Sequence, residues 1–129
     1  MSNNINSRKP TSIALTVMGE LKASHGLQGF ETPHFHIWKV AAQFNAALPL
    51  AGDRVIDLVF LQHSLEEILK PISGRFLNQA LPFSPTSENL ALWIWDQLIE
   101  ALPDASLHLV EITLCNLEGT PSGSAKVMK

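Results

Sequence analysis

The sequence holds a single cysteine, Cys115, so no disulfide can form within the chain, and a reducing compartment is the simple expectation. It has no surplus of positive charge. Nine lysines and arginines against twelve acidic residues leave a formal charge of −3, which offers nothing to nucleic acid or to an anionic membrane. No apolar run approaches the ~20 residues of a membrane-spanning helix. Met1 to Pro10 is polar and lacks the apolar core of a secretory signal. These residues, 1–10, are expected to form a loose tail, with 11–129 a single domain of a cytoplasmic protein. No internal repeat or low-complexity linker interrupts the chain.

What is present is apolar. Hydrophobic residues make up 46% of the 129 and charged residues 16%, the composition of a globular domain. A chain of this size buries roughly two-thirds of its unfolded surface. The apolar share is generous for one small domain, which suggests that part of it goes into subunit contacts.

The pattern starts with period two. Ile13, Leu15, Val17 and Leu21 predict a half-buried strand. Gly26, Gly29 and Pro33 break it. His34, His36, Trp38, Val40, Ala42 and Phe44 then share one parity, and the run ends near Pro49 and Gly52. The two runs read as a long hairpin. Next, Asp57 is placed to cap a helix whose apolar residues are Leu58, Leu61, Leu65, Ile68 and Ile72, with Pro71 and Gly74 at its end. Phe76 to Pro85 reads as a loop. Thr86 caps a second predicted helix, Glu88 suits its positive end, and Ala91, Ile94, Trp95, Leu98 and Leu102 form its stripe up to Pro103. Leu107 to Leu114 predicts a strand apolar on both faces, and a fourth strand after Gly119 is weakly encoded. The order implies an α+β fold with helices on one face of an antiparallel sheet.

Three histidines stand out. His34 and His36 are two apart on a strand, so both imidazoles leave the same face. His25 ends the first strand, and hairpin pairing brings it beside them. Three histidine nitrogens leave one tetrahedral position open, the layout of a catalytic zinc. The plainer alternative is a solvated histidine pair, which is common on strands. A cupin also uses two histidines at this spacing but needs a carboxylate a few residues on, and Ile37 to Asn45 contains none. His63 reads as a surface residue of the first helix, and His108 is isolated on a strand.

The order of motifs is more specific than any one of them. Lys22-Ala23-Ser24-His25, His34-Phe35-His36-Ile37-Trp38, Val55-Ile56-Asp57-Leu58, Leu77-Asn78, Pro85-Thr86-Ser87-Glu88-Asn89-Leu90-Ala91 and Leu109-Val110-Glu111 occur in succession. Together they resemble the 6-pyruvoyl-tetrahydropterin synthase / 6-carboxytetrahydropterin synthase family over roughly His25 to Glu118. The resemblance implies the tunnelling fold: a four-stranded antiparallel sheet with two helices between strands 2 and 3. Such sheets join into an oligomeric barrel, commonly a hexamer of two trimers, with sites between subunits. It further implies a lyase acting on a small-molecule pterin, with Zn2+ held by His25, His34 and His36. Glu111 would anchor the pterin ring through paired hydrogen bonds. Thr86 and Ser87 would contact the same ring, or serve only as helix caps.

The chain departs from that pattern. The usual catalytic cysteine position is Phe30, and the Asp-His pair of the central loop falls near Ser73 and Gly74. Phe35 replaces the glycine between the two histidines. Glu31, three residues before His34, matches a variant branch in which a glutamate replaces the cysteine. That branch resembles an aldolase-like step making 6-hydroxymethyl-dihydropterin from dihydroneopterin. Glu31 would then move the proton, or be a solvated loop acid. Three functions stay open: a zinc-dependent pterin enzyme, a catalytically silent pterin- or metal-binding relative, and a structural barrel protein.

Overall fold

The computed structural model describes residues 9–26, 32–50 and 57–129. Strand β1 runs Ser12–His25 and β2 His34–Ala47. Helix α1, Leu58–Leu69, runs into a 3-10 turn at Lys70–Ile72. A one-turn helix, α2 (Leu77–Ala80), and the longer α3 (Ser87–Ala101) follow, then β3 (Leu107–Cys115) and β4 (Pro121–Met128). The four strands form one antiparallel sheet in the order β1-β2-β3-β4.

Alternation decides which face is covered. Val17, Leu21 and Ala23 of β1, Trp38, Val40, Ala42 and Phe44 of β2, and Val110 and Ile112 of β3 are all buried. They share one face, because strand side chains alternate and the register aligns Val17 with Ala42, Leu21 with Trp38 and Val40 with Ile112. Onto that face α1 lays Leu61, Leu65 and Leu69, and α3 lays Leu90, Ala91, Ile94 and Leu98. The approach is tight at Gly19, where a Cβ would lie 3.0 Å from Leu69 Cδ1 and 3.3 Å from Leu65 Cδ2. The opposite face is open; Met18 and Phe35 project from it, 66% and 48% exposed.

Both expected caps form. Asp57 Oδ1 accepts from the Val59 N–H at 2.9 Å, and Thr86 Oγ1 accepts from the Asn89 N–H at 3.2 Å. The expected loop from Phe76 to Pro85 contains α2, a turn too short to carry an apolar period; fully buried Leu77 anchors it. β4 is weakly encoded because only Ala125 and Val127 of its eight residues are half-buried.

Candidate metal centre

The β1–β2 register sets His25 directly opposite His34 and Ala23 opposite His36. All three histidines therefore leave the sheet on the covered face, at the end of the hairpin. Their ring centroids are 5.0 Å apart for His25–His34, 5.0 Å for His25–His36 and 4.4 Å for His34–His36. One nitrogen of each lies within 4.8 Å of the other two. Each histidine is half-buried.

The other ring nitrogen of each is held by main chain. His25 Nδ1 lies 2.9 Å from the Pro85 carbonyl, His34 Nδ1 2.8 Å from that of Thr32, and His36 Nδ1 3.1 Å from that of Cys115. A carbonyl only accepts, so each Nδ1 carries a proton, and Nε2 is the nitrogen through which each imidazole in its neutral form can bind a metal. This is how metal-bound imidazoles are oriented and tautomerically fixed. Three imidazoles oriented through Nδ1 can offer Nε2 to a borderline ion such as zinc.

Trp38 forms the floor. It is fully buried, with its ring centroid 4.9 Å from His25 and 5.7 Å from His36, both edge-on. Its Nε1–H donates to Ser87 Oγ at 3.4 Å. Ser87 is thus tied to the site through Trp38, whereas the Thr86 hydroxyl is the α3 cap. Asn78 grips the chain just beyond His25: Gly26 N–H donates to its Oδ1 at 3.0 Å and its Nδ2 donates to the Gly26 carbonyl at 2.6 Å. The sequence marks Asn78 as a motif position without giving it a task. The Pro85, Thr32 and Cys115 carbonyls carry no side-chain signal at all.

Glu111 is not brought to the triad. It pairs with Ala41 on the open face, with Lys126 Nζ 3.8 Å from its Oε2. Val110 and Ile112 occupy the helix side, so alternation turns Glu111 away. The β3 residue level with Trp38, on the histidines' face, is Leu114. Glu31 and Phe30 lie outside the described residues, as do Val55 and Ile56. Where the Asp-His pair was expected, Ser73 bonds the Leu69 carbonyl at 3.1 Å and Gly74 has φ +76°; neither supplies an acid or base. Phe35 points to the open face rather than crowding the histidines. Cys115 is fully buried, and its carbonyl rather than its thiol serves the site.

A family profile described as 6-pyruvoyl tetrahydropterin synthase matches residues 14–129. Human 6-pyruvoyl tetrahydrobiopterin synthase is 31% identical over 84 residues, which cover 61% of this chain and 58% of the human one. The solved 6-pyruvoyl tetrahydropterin synthase of Caenorhabditis elegans is 19% identical with a TM-score of 0.71, over 95% of this chain and 98% of that one. A Plasmodium vivax 6-pyruvoyltetrahydropterin synthase, solved with a catalytic glutamate replaced by alanine, is 19% identical with a TM-score of 0.70, over 93% and 99% of the two chains. These structural likenesses show the tunnelling fold.

Proposed function

The chain belongs to the 6-pyruvoyl tetrahydropterin synthase family, and on that premise we propose that it is a zinc-dependent pterin enzyme acting on a dihydropterin side chain. The observation that carries this reading is the triad: three histidines converge, each with Nδ1 pinned to a carbonyl. His25, His34 and His36 hold the ion, which supplies Lewis-acid polarisation of a substrate oxygen when bound.

Glu31 is the proton-moving group in this proposal. It stands three residues before His34, and the P. vivax relative gives precedent for a catalytic glutamate in the family. The reaction is then a lyase step of the synthase type or its aldolase-like variant. Ser87 and Thr86, at the start of α3, border the site from the helix side. Glu111 serves as pterin anchor for a triad other than its own chain's, since its own lies across the sheet. That role requires a homo-oligomer, proposed here as two stacked trimers with the sheets joined edge to edge. The site takes a small molecule and neither nucleic acid nor membrane; no helix among the described residues is long and apolar enough to cross a membrane. A cytoplasmic location and a single domain over residues 11–129 are part of the same proposal.

One observation favours the catalytically silent relative as a second reading. The β3 side chain level with Trp38 on the triad's face is Leu114, which cannot accept hydrogen bonds from a pterin. The deciding experiment incubates zinc-loaded protein with dihydroneopterin triphosphate and, separately, with dihydroneopterin, and analyses products by chromatography. Conversion of either supports the enzyme. Binding of neopterin by calorimetry without conversion supports the silent relative. Loss of both leaves a metal-binding protein and overturns the pterin reading.

A further inference from the structure

β1 is an edge strand, and its outer side meets no other strand of the sheet. In an antiparallel ladder alternate residues turn both N–H and C=O outward. On β1 these are the even-numbered residues, as their partners reveal. Gln62 of α1 forks onto Met18: its Oε1 accepts from the Met18 N–H at 3.1 Å and its Nε2 donates to the Met18 carbonyl. Nε2 also donates to Glu66 Oε1 at 3.0 Å, which steadies the amide. Farther along, the Lys22 carbonyl accepts from Gly74 N–H at 2.7 Å, and Ser24 N–H donates to the Arg75 carbonyl at 3.0 Å. Asn78 closes Gly26. The outer edge from Met18 onward is therefore taken by the chain's own groups, apart from Glu20. At Ser12, Ala14 and Thr16 the described residues provide no backbone partner on that side.

The other edge is β4. Lys129 N–H donates inward to the His108 carbonyl, so over the regular ladder up to Gly123 the odd-numbered residues face β3 and Ser124, Lys126 and Met128 turn outward. On the covered face, Ile13 is 39% exposed and Leu15 half-buried at one edge, and Ala125 and Val127 are half-buried at the other. Setting β4 of one copy beside the start of β1 of another continues both the ladder and the apolar layer.

We propose that Gln62 is a register stop. A second copy's β4 docks on β1 along Ser12–Val17 and ends at Met18, where the Gln62 amide already occupies the place of a partner strand. Pushing past it exchanges two hydrogen bonds for two others and strands Glu66's partner, so extension gains nothing. Short of it, pairing adds bonds at Ser12, Ala14 and Thr16 and covers Ile13. The inference rests on the oligomer reading above.

The test uses the full chain, light scattering and residue-resolved hydrogen exchange. Proline removes an outward N–H and is tolerated on the free side of an edge strand. Thr16→Pro should reduce the assembly to the single-chain mass of 14.2 kDa, and Glu20→Pro should leave it intact. In the unaltered protein, assembly should slow exchange at Ala14 and Thr16 by at least roughly tenfold and leave Met18 unchanged, because Gln62 protects it in either state. Exchange needs no variant, so it decides the matter even where Thr16→Pro fails to fold. A folded Thr16→Pro that still assembles, a folded Glu20→Pro that dissociates, or assembly-dependent protection at Met18 and Glu20 overturns the stop. An oligomer whose Ala14 and Thr16 amides stay unprotected overturns the stop alone. A monomer at every concentration overturns the oligomer reading and the stop with it.

Discussion

His25 and His34 are direct partners across the β1–β2 ladder, with imidazole centroids 5.0 Å apart. A slip of one residue in the hairpin would send one of them to the other face of the sheet, since strand side chains alternate. The fully buried floor of Trp38 and the Asn78 clamp on Gly26 oppose such a slip.

Protein purified without added metal should carry close to one zinc per chain by elemental analysis. Replacing His34 and His36 together by alanine should abolish it, because one imidazole does not hold the ion. Unchanged zinc in the double variant sinks the assignment.

Asn78 is a positioning residue for His25. Asn78→Ala leaves the Gly26 N–H and carbonyl without their partner, at a cost of about 1–3 kcal/mol. Metal affinity, read by competition with a chelator, should fall roughly 10–100-fold, the usual effect of loosening a ligand's support. Asn78→Asp keeps the acceptor and loses the donor, and should fall between. A stability loss with unaltered metal affinity would show that the clamp serves the fold alone.

Gly19 lies tightly under Leu65 and Leu69 of α1. Gly19→Val should destabilise by about 1–3 kcal/mol in denaturant unfolding, because its branches must displace Leu65 and Leu69. Gly19→Ala should cost less. A neutral Gly19→Val would show that Leu65 and Leu69 make room without loss of packing.

Glu111 and Glu31 should fail in different ways. Glu111→Gln should weaken neopterin binding by about 1.5–3 kcal/mol, the scale of a hydrogen bond to a charged group. Glu31→Gln should leave binding nearly intact and lower turnover by roughly 10²–10⁴-fold. Calorimetry reads the first and product chromatography the second. Equal pterin binding by Glu111→Gln and the unaltered protein would falsify the anchor role.

Much of the fold was legible because its signals are local. Period two predicted β1 and β2, a run apolar on both faces predicted β3, and Asp57 and Thr86 announced helices that they do cap. The pairing of His34 with His36 on one face follows from alternation alone. The resemblance put Glu111 at the pterin ring, and the β2–β3 register turns it to the face away from its own chain's histidines. Only the tertiary structure decided the rest. The hairpin register placed His25 opposite His34, and remote chain segments at Pro85 and Cys115 supplied the carbonyls that set the tautomers of His25 and His36. Burial of Leu77 wound α2 out of a stretch with too few residues for a period, and β4 formed with only two half-buried side chains because β3 presented it a ladder. A sequence carries side-chain order, and hence periodicity and caps. Main-chain donors and acceptors are nearly the same at every residue, so where they meet depends on how distant segments pack.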